Sequence, residues 1–110
     1  MILTGKAKED FIEYYNNHSI KYLLSWTDFD DLPLVVKNAL IIEWFDSVGI
    51  KTLHSYSLCG WYCELKDYNN KEFGNHKSFV VCKNSVNDFD TRQEATDEAI
   101  KKANEIYNKL

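Results

Sequence analysis

The chain has 110 residues, 45% of them hydrophobic and 27% charged, a balance that fits a single domain over 1–110 able to bury a core without metals or disulfides. Its net charge of −4 opposes a phosphate backbone and argues against nucleic-acid binding, and no apolar run reaches the length of a membrane span. The three cysteines are an odd number and the N-terminal apolar stretch is too short for an export signal, so free thiols and a cytoplasmic location are expected.

The first expected element is an amphipathic helix after Thr4, a residue that suits an N-cap. Ala7, Phe11 and Tyr14 or Tyr15 recur at spacings of three and four and form one apolar stripe. Asn16 and Asn17 suit the left-handed conformation that ends many helices. Residues 18–30 mix apolar Ile20, Tyr22, Leu23, Leu24, Trp26 and Phe29 with polar positions; they read either as more of this helix or as an irregular segment over the core.

Asp28, Asp30 and Asp31 then precede a second helix, where carboxylates accept orphan backbone N–H bonds, and Pro33 suits its first turn. The helix is expected from about Pro33 to Ser47, stopped by Gly49. Around its axis Leu34, Leu40, Ile41, Trp44, Phe45 and Val48 share one broad face, while Val35, Ala39 and Ile42 fall on the other side. A helix on one core needs a single stripe. This helix is expected either to be sandwiched between the sheet and another helix, the favoured reading, or to meet a partner through its second side.

From Ile50 the pattern turns to strands. Lys51 to Leu58 alternates loosely, with Thr52, His54, Tyr56 and Leu58 on one face. Trp61, Cys63 and Leu65 alternate with Tyr62, Glu64 and Lys66, the period of a half-buried strand. Gly60 marks a tight turn or a bulge, and Asp67 to Asn70 and Gly74-Asn75 are turn signals. Ser78 to Cys82 completes a three-stranded antiparallel meander. In the last helix Thr91 and Glu94 form a T-x-x-E capping box. Ala95, Ala99, Ala103, Ile106 and Leu110 make its stripe, widened by Ile100 and Tyr107, and Asp97–Lys101, Glu98–Lys102 and Glu105–Lys109 are acid-before-base pairs. The expected class is α+β, in the order α-α-β-β-β-α.

Two blocks, Asp31-Leu32-Pro33 through Trp44-Phe45-Asp46-Ser47-Val48-Gly49-Ile50 and Thr91-Arg92-Gln93-Glu94-Ala95 through Ala103-Asn104-Glu105-Ile106-Tyr107-Asn108, cover about a third of the chain. They resemble blocks of small proteins of bacterial phages and prophages, of the Bacteroidetes type. The resemblance transfers no active site. It implies a phage accessory protein, of a kind that neutralises a host defence factor by binding a defence protein or by sequestering a nucleotide signal.

Residue chemistry narrows the choice. Cys59, Cys63 and Cys82 with His54 and His76 are zinc-ligand types, but no second close pair completes a site, and small core hydrophobes explain the cysteines better. A Cys–His nucleophile from these residues is weaker still, because Cys63 and Cys82 fall in apolar runs. The aspartates before the second helix lack a calcium-loop pattern, so capping explains them. A double-stranded RNA-binding arrangement would need a basic start to the last helix, whereas acidic Glu94, Asp97 and Glu98 stand there. The high aromatic content, 15%, is expected mainly in the core.

These observations give a non-enzymatic protein that binds a host component stoichiometrically, with no cofactor and no metal. The candidate partner surfaces are Val35, Ala39 and Ile42 on the second helix, or a sheet face carrying Tyr56 and Tyr62; either could also join two copies in a homodimer. The alternative is a sponge for a nucleotide signal, with stacking from Trp61 or Tyr62 and charge from Lys37 or Lys77. The open-face tyrosines have a plainer reading, cross-strand pairing that only stabilises the sheet.

Overall fold

The computed structural model describes residues 1–17, 29–58, 60–70, 74, 76–82 and 89–110. Helix α1 (Gly5–Asn17) and a 3-10 turn (Phe29–Asp31) precede helix α2 (Leu34–Ser47), strands β1 (Ile50–Ser57), β2 (Gly60–Asp67) and β3 (Lys77–Val81), and helix α3 (Arg92–Asn108). The fold is α+β in the expected order, and its strands form the expected antiparallel meander, β1-β2-β3.

Register decides which side chains face the helices. Tyr56 stands opposite Trp61, His54 opposite Cys63, and Leu65 opposite Phe79. Cys63 and Leu65 are fully buried, while Tyr62, Glu64 and Lys66 point to the other face, as their alternation predicts. Helix α3 lies across all three strands, with α1 and α2 packed against it. Ala95, Ala99 and Ala103 are buried at this contact, and the Cys63 thiol reaches the Ala95 carbonyl at 3.5 Å, a close approach that small residues permit.

The centre of the core is aromatic. Phe11 meets Phe29 and Trp44 edge-on at 5.0 and 5.8 Å, and Trp44 meets Tyr107 at 4.9 Å. Gly49, at φ +88°, ends α2 as expected, and its carbonyl accepts from Tyr68 N–H at 2.8 Å, which fixes the hairpin end against the helix.

Several local expectations are corrected. Thr4 does not cap α1 with its own hydroxyl: that oxygen accepts from Asn104 Nδ2 at 2.9 Å, and Asn108 Oδ1 of α3 accepts from Ala7 N–H at 2.8 Å instead. Asn16 and Asn17 are not left-handed, since every positive φ among the described residues belongs to glycine. Residues 18–28, whose helical or irregular character the sequence left open, lie outside the described residues.

Pro33 occupies the N-cap position of α2 rather than its first turn, with no side-chain cap. The 3-10 turn holds Asp30 and Asp31 two residues or more upstream of that position, away from the amides they were expected to cap, and Asp28 lies outside the described residues. Strand β3 begins one residue earlier than expected, leaving Cys82 exposed beyond its end rather than in the core. In α3, Thr91 Oγ1 accepts from Glu94 N–H at 3.1 Å, as the capping box predicts. Its ion pairs run i to i+3, Glu98–Lys101 and Lys102–Glu105, because Asp97 is turned instead into α2.

Candidate functional site

Among the described residues α2 packs against both β1 and α3, and Ile42 is half-buried against the core. Its second side is nevertheless open at Val35, 71% exposed, and at Ala39, also exposed; Leu34, assigned to the core face, is half-exposed. A helix can be covered on one side by β1 and on another by α3 and still leave an arc open between them. Val35, Ala39 and Ile42 form one wall of a groove of about 430 Å³, whose other side is His54 of β1 with Arg92, Gln93 and Thr96 of α3. The volume lies in the range of sites that take a ligand or several partner side chains.

One end of the groove is fixed by a polar bridge. Asn38 is only 4% exposed and donates through Nδ2 to Asp97 Oδ1 at 2.8 Å, an oxygen that also accepts from Gln93 Nε2 at 3.0 Å. This bridge joins α2 to α3 and explains why an asparagine is buried there.

The sheet side has a defined protonation pattern. Thr96 Oγ1 donates to the Arg92 carbonyl at 2.9 Å, and the same oxygen lies 2.6 Å from His54 Nε2. Both contacts are satisfied together when the hydroxyl gives its hydrogen to the carbonyl and accepts from an imidazole that carries its proton on Nε2. Burial, and then the Arg92 charge, lower the His54 pKa and favour this neutral form. The Arg92 guanidinium lies 5.9 Å from the centre of the Trp61 ring, which in turn meets Tyr56 at 5.1 Å.

Cys63 and His54 do not form a nucleophilic pair. Burial pushes the Cys63 thiol up to about 11, against a smaller opposing effect of Arg92. The thiol points to the Ala95 carbonyl and His54 points to Thr96, so neither activates the other. Among the described residues no group of three His, Cys, Asp or Glu side chains could hold a metal ion; Cys59 lies outside them.

The other singled-out residues are dispersed. Tyr56 and Tyr62 do not share a face: Tyr62 stands opposite Ser55 on the outer side, while Tyr56 is 70% exposed on the helix side, beside Trp61. The pairing of Ser57 with Gly60 sets this register and puts the two rings out of phase. Lys37 reaches back to the Asp30 carbonyl at 3.4 Å, and Lys77 lies over Phe79 at the far end of the sheet. Trp61, Tyr62, Lys37 and Lys77 therefore do not converge on one ligand.

Sequence reading identified the apolar wall and missed the opposite one, Arg92, Gln93 and Thr96 with His54. One signal was present. Arg92 is a cation in the first turn of a helix, where the dipole disfavours it. A residue placed against a local preference marks a tertiary or functional demand. Comparison with protein-family models finds no match, and comparisons with curated proteins and with solved structures find none either.

Proposed function

We propose that this chain is a non-enzymatic binding protein that engages one partner protein stoichiometrically, through the groove between the outer side of α2 and the start of α3. The observation that carries this reading is the wall of Val35, Ala39 and Ile42 beside Arg92: aliphatic surface exposed at Val35 and Ala39 next to a cation. Exposed apolar surface rimmed by polar groups is characteristic of interaction sites. The resemblance of the α2 and α3 blocks to small phage proteins makes the partner a component of the host cytoplasm, and the action an inhibition of host defence. Sequestration of a nucleotide signal gains no support from the dispersed Trp61, Tyr62, Lys37 and Lys77.

The reading is tested by placing a photo-crosslinking amino acid at Ala39, and separately at Ser55 on the outer sheet face, and irradiating each in host lysate. The proposal expects a single one-to-one adduct from position 39, lost when Val35→Asp is added, and none from position 55. An adduct from position 55 alone, or from neither position, contradicts it.

A further inference from the structure

The groove has a chemical polarity that selects among partner segments. One side is aliphatic, with Ala39 leaving a depression between the larger Val35 and Ile42. The other holds Arg92, the one formally charged side chain among the described residues that line it. Arg92 is exposed, with its guanidinium carbon 5.9 Å from the centre of the Trp61 ring, and its planar fork suits in-plane hydrogen bonds to a carboxylate. The amide of Gln93 adds a polar partner, although its Nε2 is already engaged by Asp97.

Other surfaces offer no such selection. The outer face of the sheet exposes Leu53 at 47% and Val80 at 66%, but it mixes Lys51 and Lys66 with Glu64. The cavity beside Phe79 gathers Lys77, Lys102 and Lys109 and offsets them with Asp67 and Glu105.

We infer that the groove accepts a partner segment in which an aliphatic side chain adjoins an aspartate or glutamate, the aliphatic group seated on Val35, Ala39 and Ile42 and the carboxylate paired with the Arg92 guanidinium. The inference rests on the proposed function and specifies the partner's chemistry. Charge complementarity decides for an acidic segment over a neutral or basic one: an arginine fork matches a carboxylate in a two-bond arrangement, and the acid beside the lining, Asp97, already accepts from Asn38 and Gln93. The chain as a whole is acidic, at −4, so the attraction is local and falls as salt rises.

The test uses the full chain as bait for a random linear peptide display library, followed by binding measurements on the enriched consensus. The expected consensus carries Asp or Glu near Leu, Ile, Val or Met. Arg92→Gln and the peptide's own acid-to-amide change should each weaken binding by about tenfold, with the double change little worse than either alone, because both remove one contact. Val35→Ser, at an exposed site, should weaken binding about threefold or more. Thermal melts of both variants establish that they are folded.

A consensus without acids, no enrichment, or unchanged affinity with Arg92→Gln overturns the inference. So does a wild-type dimer in sedimentation that Val35→Asp dissociates, since a second copy would then fill the groove. Crosslinking from Ala39 to a host protein with no acidic consensus leaves the proposed function standing while this inference falls. Failure of both experiments removes both.

Discussion

Helix α3 packs against two other helices, and it treats them differently. Toward α1 the junction is closed and its polar atoms are paired. Asn104 exchanges two hydrogen bonds with Thr4, and Asn108 binds the Thr4 carbonyl and the Ala7 amide, so side chains of the last helix satisfy the start of the first. Tyr107 donates to Asp10, which also holds Lys6. Toward α2 the contact is bridged at Asn38–Asp97, and beside that bridge lies a groove whose aliphatic wall is exposed, among the described residues, at Val35 and Ala39. One junction is finished for stability; the other leaves apolar surface in water, a choice that stability alone does not favour.

Substitutions can break this contrast. The largest effect is expected on the closed side, at Phe11, which is 1% exposed among the core rings. Phe11→Ala should lower unfolding free energy by about 3–5 kcal/mol, read as a shift in urea midpoint. Asn108→Ala should follow, at about 1–2 kcal/mol, because it strips a cap from α1 as well as a bond to Thr4. A loss there no larger than that of Val35→Ser, expected within about 0.5 kcal/mol, would erase the distinction between the junctions.

Titration sharpens the comparison more gently. The His54 pKa is lowered on folding, so the unfolded chain binds the proton more readily; stability is present above the ordinary histidine range and declines as pH falls below it toward the lowered value. His54→Gln, which keeps a donor for Thr96, should flatten that decline. Cys63 gives the opposite sign. Its thiol stays protonated up to about 11 when folded, so stability falls as pH rises from about 9, the range in which the unfolded thiol ionises. Alkylation under native conditions at neutral pH, mapped by peptide mass, should label exposed Cys82 and spare Cys63. Rapid labelling of Cys63 would contradict its buried placement.

Much of the fold was legible because local patterns agreed with tertiary need. The alternation of Trp61, Cys63 and Leu65, the Thr91 cap, the alanine stripe of α3 and the Gly49 stop each report burial or backbone geometry through spacing along the chain. What misled was non-local. Thr4 looked like a cap because the sequence does not show that Asn104 and Asn108, a hundred residues on, would take over its surroundings. Asp97 looked like half of a surface ion pair until α2 and α3 came together. Tyr56 and Tyr62 were paired on one face, whereas the Ser57–Gly60 register puts them out of phase. The candidate site divides the same way: its aliphatic wall lies on one helix and was readable from helical spacing. Its polar wall is assembled from β1 and α3 and was not.

The central claim is that the outer side of α2 serves binding and contributes little to holding the fold together. Val35→Asp tests it most directly, with capture of the Ala39-crosslinked host partner measured on protein shown by urea titration to be folded. The account predicts that the variant keeps wild-type stability to within about 0.5 kcal/mol and loses the adduct. A variant that unfolds would show that this surface is internal, and one that keeps the adduct would show that the partner binds elsewhere; either result contradicts the account.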